Sequence, residues 1–255
     1  MTRRRRAILW SAGSLLAAVA LTAGTWAVVR DDSAPVSAGR QDSVAVPTPT
    51  LGPRPTADGA RFAVDFATTA AVTDIPGARS VESGRNSRPI AVDQRALRHG
   101  DPTGPDAASY LEIPMRQAVT RIGVSAVLPT GGGSAAMVAF DDSVVDARTA
   151  GEPFPYAGIH FVVDAGSWDL GVLDPEIGAN SILRGTWSRP DGGDGPVDFE
   201  VERSGSVLTV VLPDGRRSSV ADPRVEAWTG RWSTWELYEP RPGMTPAAIT
   251  RLWAT

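Results

Sequence analysis

The dominant period in the apolar positions of this chain is two. Val197, Phe199 and Val201 alternate with Asp198, Glu200 and Glu202, the pattern of a strand that hides an apolar face and shows three carboxylates to water. Ser204-Gly205 then turns the chain, and Val207 to Leu212 follows as a β-branched run. Pro213-Asp214-Gly215 turns it again, and Arg216 to Val220 returns as the third strand of a meander. Further short strands are predicted over Ile122 to Leu128, Met137 to Phe140, Ile159 to Asp164, Trp168 to Leu173, Ile182 to Trp187 and Trp235 to Tyr238, with Gly and Pro between them. Short strands so spaced predict an all-β, antiparallel β-sandwich or barrel rather than an alternating α/β fold. One short helix is predicted at the C-terminus. Thr245 can cap it, Pro246 suits its first turn, and Ile249, Leu252 and Trp253 share a face at i, i+3, i+4. The stretch from Ala67 to Pro105 is poor in apolar residues and reads as long loops with short edge strands.

A different hydrophobic pattern opens the chain. Arg3 to Arg6 run into 23 residues without a formal charge, Ala7 to Val29, and Asp31 and Asp32 follow. As a helix such a span covers about 30 Å, enough to cross a bilayer core, with the arginines held on the cytoplasmic side. The organisation predicted is a basic tail (1–6), a transmembrane signal anchor (7–29), a linker (30–60) and one β-sandwich domain (61–255) facing out of the cytoplasm. Cleavage after Thr25-Trp26-Ala27, a small-x-small site, is the competing fate and would give a secreted protein. Arg4-Arg5-Arg6-Ala7-Ile8-Leu9 also passes loosely for a twin-arginine export signal. In the linker, Pro35, Pro47, Pro49, Pro53 and Pro55 stand among Ser, Thr, Ala and Gly, a composition that cannot bury a core and suits an extended stalk.

Composition narrows the partners. Residues 61–255 carry 18 Arg against 25 Asp and Glu, a net charge of −7, whereas nucleic acid needs a basic surface. Every basic residue is arginine, with Ala, Gly, Pro and Val abundant, the bias of a high-GC genome such as an actinobacterial one. No cysteine occurs, which excludes disulfides, thiol chemistry and a lipidated cysteine anchor.

The candidate chemistry lies in aromatic and acidic residues. Trp228, Trp232, Trp235 and Tyr238 fall within eleven residues, and flat rings suit the apolar faces of sugars; the competing role is core packing. On a strand Trp232 and Trp235 fall on opposite faces. Trp168 alternates with Leu170 and Val172 and reads as core. Asp141 and Asp142 offer loop carboxylates as polar partners, while Asp191 and Asp194 sit among glycines as turn residues. Neither stretch has the alternating ligands of a calcium loop, and no metal or other cofactor is expected. Of the two histidines, His160 lies about 13 Å along its strand from Asp164, too far for a direct hydrogen bond, and reads as structural. His99 reads as part of a turn with Gly100, Asp101 and Pro102. No nucleophile elbow, metalloprotease helix motif or phosphate-binding glycine loop occurs.

Three segments resemble the concanavalin A-like lectin and glucanase superfamily. They are Val119-Thr-Arg-Ile122-Gly123-Val124, Gly158-Ile-His160-Phe-Val162 with Trp168-Asp-Leu-Gly171-Val172, and Val207 to Gly215. The resemblance implies a lectin-like jelly-roll of two stacked antiparallel sheets, with a concave face or loop end used for saccharides. Its hydrolytic members carry paired acids on one strand as Glu-x-Asp-x-x-Glu, a motif absent here. The function expected is therefore non-catalytic binding of a glycan or other envelope component through Trp228, Trp232, Trp235, Tyr238, Asp141 and Asp142. Two alternatives stay open. One is a protein-interaction domain of an envelope assembly or export system, and the other a hydrolase whose acids come from separate strands, with Glu236 the first suspect because aromatic residues flank it.

Overall fold

The computed structural model describes residues 62–255 except 84–85, 116–117, 141–157, 175–177, 191 and 228–231. The predicted anchor and stalk lie outside the described residues, and among those described no helix is long and apolar enough to cross a membrane.

Fifteen strands are described, in two antiparallel sheets. In chain order they are β1 (Phe62–Asp65), β2 (Arg79–Ser83), β3 (Ile90–Asp93), β4 (Ala96–His99), β5 (Ala107–Pro114), β6 (Arg121–Val127), β7 (Ser134–Phe140), β8 (Gly158–Val163), β9 (Ser167–Asp174), β10 (Gly178–Thr186), β11 (Val197–Ser204), β12 (Val207–Val211), β13 (Arg217–Ala221), β14 (Trp232–Glu239) and β15 (Ala248–Ala254). One sheet has eight strands, in the order β13-β12-β11-β6-β15-β4-β3 with β1 also paired to β15. The other has seven, in the order β10-β9-β8-β7-β14-β5-β2. The meander β11-β12-β13 forms as its alternation predicts, with Gly205 and Gly215 at positive φ in the two turns.

The core lies between the sheets, filled by alternate residues from each. Phe161 of β8 meets Phe199 of β11 across the interface at 6.2 Å between ring centroids, and Trp187 packs edge-on against Phe199 at 5.1 Å. Trp168, Leu170 and Val172 are all buried, as their alternation predicts. The ends of the two sheets are also joined by a polar pair. His99 closes β4 rather than forming a turn, and its Nε2 lies 3.7 Å from Glu239 Oε2 of β14, both side chains buried. Burial pushes the Glu239 carboxyl up, and the facing His99 partly offsets this.

The predicted C-terminal helix is a strand. β15 pairs with β6, with a bulge between Ile249 and Arg251, so Thr250 is the extra residue. The bulge brings Ile249 opposite Ala126 and Leu252 opposite Val124, both on the core side although three residues apart. The i, i+3 spacing is thus the signature of a bulged strand, and Thr245, taken for a helix cap, gives its carbonyl to the Gly133 N–H instead. The other helical turns described are short 3₁₀ segments at Val72–Asp74 and Pro223–Ala227. Between residues 67 and 105 the expected edge strands form, β2 and β3 each ending a sheet.

Candidate functional site

β14 is the strand that divides packing from exposure. Ser233, Trp235 and Leu237 point into the sandwich, and Trp232, Thr234, Glu236 and Tyr238 onto the outer face of the seven-stranded sheet. Trp235 is fully buried, with its indole N–H donated to the Gly123 carbonyl at 3.0 Å and its ring 6.2 Å from that of Phe62. It is a core residue and cannot face a ligand, which corrects its assignment to the site. Trp232 is half-buried on the other side, with the Arg79 guanidinium 4.9 Å from the centre of its ring. Tyr238 is half-buried too and donates its hydroxyl to Asp106 Oδ1 at 2.7 Å. Burial and this acceptor push the phenol far up, so it stays protonated. Trp228, Asp141 and Asp142 lie outside the described residues.

Strand register carries the outer face across the sheet in rows. One runs through Arg79, Glu112, Thr234, Val138, His160, Gly171 and Ser181. The next runs through Tyr110, Glu236, Asp169 and Arg184, with Ala136 and Val162 in its middle.

At the middle of this face is a pair of groups from separate strands. His160 Nε2 lies 3.2 Å from Glu236 Oε2, with side-chain exposures of 21% and 9%. His160 therefore has a carboxylate partner, reached across β7 rather than along its own strand. Asp164, four residues along, serves the β8–β9 turn instead, accepting the N–H groups of Gly166 and Ser167 and the Ser167 hydroxyl. Asp169 accepts the Ser181 hydroxyl at 3.0 Å. Burial pushes its carboxyl up, against the opposing effects of that bond, His160 and Arg184. Glu112 is fully buried in the neighbouring row.

The other sheet carries a second polar group on its outer face. Glu200 and Glu202 face outward, as their alternation predicts, yet Glu200 is not solvated. It is 7% exposed, accepts the Trp253 indole N–H at 2.8 Å and pairs with Arg121 at 2.9 Å. Arg121 and Arg217 also pair with Glu202 and hold its carboxyl below the usual range, whereas burial pushes Glu200 up. This group is closed on itself and offers a ligand little. The outer face of the seven-stranded sheet can do more, with an aromatic ring, a histidine–carboxylate pair and further carboxylates on one surface. Such a surface can donate to and accept from hydroxyl groups while an apolar ring face rests on Trp232.

The sequence matches no protein-family model and no curated protein. Solved structures do match. The catalytic domain of an endo-1,3-β-glucanase (laminarinase) from Thermotoga petrophila superposes with a TM-score of 0.52 at 12% identity, covering 76% of this chain and 96% of that one. A glycoside hydrolase family 16 endo-glucanase from Bacteroides ovatus, in complex with G4G3G-2F-DNP, gives 0.50 at 10% identity, covering 76% and 99%. The Ca²⁺-bound exoplasmic/lumenal domain of VIP36 gives 0.50 at 12% identity, covering 74% and 87%. The fold of this chain is the concanavalin A-like jelly-roll.

Proposed function

We propose that this chain binds a glycan of the cell envelope on the outer face of its seven-stranded sheet, held outside the membrane by the segment Ala7 to Val29 and the proline-rich stalk. The observation that carries the reading is the His160–Glu236 pair, 3.2 Å apart, on the same face of the sheet as the half-buried ring of Trp232. Sugars are recognised by this combination, in which ring faces stack on an aromatic side chain and hydroxyls exchange hydrogen bonds with paired polar groups. A fold shared with two glucanases adds weight but cannot by itself assign a function. The test is binding of the purified full-length protein to envelope fractions and defined oligosaccharides. Saturable binding that free sugar competes away is expected, weakened about tenfold by Trp232→Ala. A folded sample without saccharide affinity would turn attention to a protein partner on the same face.

One observation favours a second reading, glycan hydrolysis. Thr234 pairs with Glu112 and Glu236 with Tyr110, so Glu112 and Glu236 are diagonal neighbours on adjacent strands. Diagonal positions lie about 7–8 Å apart, near the carboxyl separations that glycosidases use for an acid and its partner, and Glu112, which has no exposed surface, would have to be uncovered as a glycan binds. These acids come from two strands rather than one, and His160 would orient Glu236 through their 3.2 Å contact. Turnover of a glycan bound by the wild type, abolished in both Glu112→Gln and Glu236→Gln, is the expected result of this reading. Binding without turnover leaves the lectin-like function alone.

A further inference from the structure

We propose that the outer face of the eight-stranded sheet carries a second saccharide platform, built on Trp253, which takes the apolar face of a neutral pyranose. This site goes beyond the reading above, since it lies on the opposite side of the sandwich from Trp232 and shares no residue with that face.

The platform is a ring laid flat on the sheet. Trp253 of β15 points outward between the core residues Leu252 and Ala254 and pairs with Gly123 of β6. Its indole N–H is donated to Glu200 Oε2 at 2.8 Å, and Glu200 stands on β11, beyond β6. At about 4.8 Å per strand the two side chains together bridge about 10 Å, which they do with the indole lying across Gly123. The glycine itself gives the ring's orientation. A Cβ on Gly123 would lie 2.1, 2.2 and 2.4 Å from Cε2, Cζ2 and Nε1, of which Cε2 is bonded to both of the others. An approach in the ring plane at Cε2 would come nearer to those bonded neighbours than to Cε2, so the glycine meets the face of the ring rather than its edge. One face of the indole therefore rests on the sheet, and the other looks outward from a half-buried side chain. Among the described residues no other ring and no guanidinium stacks on it. Its neighbours in the row are low, the exposed Ala63 of β1 on one side and Gly123 on the other.

The charges around the ring select a neutral ligand. Glu200 pairs with Arg121 at 2.9 Å, Glu202 with Arg121 and Arg217, and Asp65 with Arg251 at 3.8 Å. Because these groups answer one another, what the face leaves to a ligand is the ring. An ion would find its countercharge already engaged, whereas the C–H face of a neutral pyranose needs a flat apolar surface that is fixed in advance. Arg121 and Arg251 stand two residues from the ring's row, one on each side, with side chains 30% and 40% exposed. Their remaining N–H groups can donate to the hydroxyls at the rim of such a sugar. Trp232 and Trp253 are separated by the thickness of two sheets packed about 10 Å apart, so one short oligosaccharide cannot cover both. Two glycan strands can then be held by one chain.

The experiment is calorimetric titration of the full-length protein, in a detergent without a sugar headgroup, with neutral tetramers of glucose, galactose and mannose. The Trp253 indole N–H resonance, identified by its absence in Trp253→Phe, is followed by NMR in the same samples. Two sites per chain are expected for a tetramer that binds, and the Trp253 resonance is expected to move. Ala63→Arg, a change at an exposed position, brings a guanidinium over the ring and is expected to weaken the Trp253 site about tenfold while the site at Trp232 remains. Trp232→Ala is expected to leave the Trp253 shift in place. A Trp253 resonance that stays still while a tetramer binds, or that moves equally in Ala63→Arg, overturns the platform and leaves the first face standing. A single site per chain that Ala63→Arg removes and Trp232→Ala does not keeps the platform and overturns the first face. No affinity for any tetramer overturns the platform, and no affinity for envelope fractions either overturns both.

Discussion

The ring of Trp253 occupies the space that a side chain on Gly123 would fill. The two residues pair across β15 and β6, and a Cβ on Gly123 would lie 2.1 Å from the ring. The glycine is needed for this close approach, since its partner is a rigid indole already fixed by a hydrogen bond to Glu200. Gly123→Ala is therefore expected to destabilise the domain by about 1–3 kcal/mol, the usual cost of overpacking. Chemical denaturation checks it, and Gly123→Ala combined with Trp253→Ala should recover part of the loss because the clash is gone.

Gly123 also accepts a hydrogen bond from Trp235, so two tryptophans from different strands converge on it. Trp235→Ala should cost about 3–5 kcal/mol, as for other large buried aromatics. Trp235→Phe keeps most of the packing but removes the N–H, and should cost about 1–3 kcal/mol. Trp232→Ala should change stability by less than about 1 kcal/mol, since it loses mainly a surface contact with Arg79. Measured side by side, the three variants separate the packing face of β14 from its outer face.

The sandwich was legible in the sequence because its strands alternate. In β8, β9 and β11 to β13 apolar and polar residues largely alternate along the chain, so the period of two is visible. β5 was not legible. Its residues Ala107 to Ile113 are all buried, including Ser109 and Glu112, so neither face announces itself as polar. The C-terminal strand misled for a different reason, because the bulge at Thr250 shifts phase by one and leaves apolar residues at helical spacing. A bulge is set by its partner strand, and no residue of β15 declares it.

The site was legible in part. The opposite facing of Trp232 and Trp235 follows from strand parity, and Glu236 was singled out for its aromatic neighbours. Its partner was hidden, because His160 lies 76 positions earlier in the chain and meets it only through the order β8-β7-β14. Glu112 and Asp169 join the same face by register alone. Sequence spacing along one strand measured only the distance from His160 to Asp164, which is not the contact that forms.

Acid should weaken this domain through Asp222. Its carboxylate accepts the backbone N–H and guanidinium of Arg224, at 2.9 Å and 2.5–3.2 Å, and these bonds hold the carboxyl below its usual range. A carboxyl so lowered contributes stability above its unfolded value of about 3.9, and loses it as pH falls through the lower folded value. Glu200 and Glu239, which burial pushes up, act with the opposite sign: their contribution is full below the unfolded value and is lost as pH rises through the folded one. Asp222→Asn keeps an acceptor for the Arg224 N–H but not the charge. It should cost about 1 kcal/mol at neutral pH and flatten the loss of stability below pH ~4, read from denaturation midpoints between pH 2 and 7.

The His160–Glu236 pair should behave as one unit toward a glycan. Each side chain orients the other across β7, so removing either leaves its partner without the bond that fixes it. Groups that act together are not additive. His160→Gln and Glu236→Gln are each expected to weaken saccharide binding about tenfold, and the double variant by no more than about twofold beyond the weaker single variant. Two independent contacts would instead multiply to about a hundredfold. Titration of the four proteins with one oligosaccharide distinguishes these outcomes, and a hundredfold loss in the double variant would mean that the two residues touch the ligand separately.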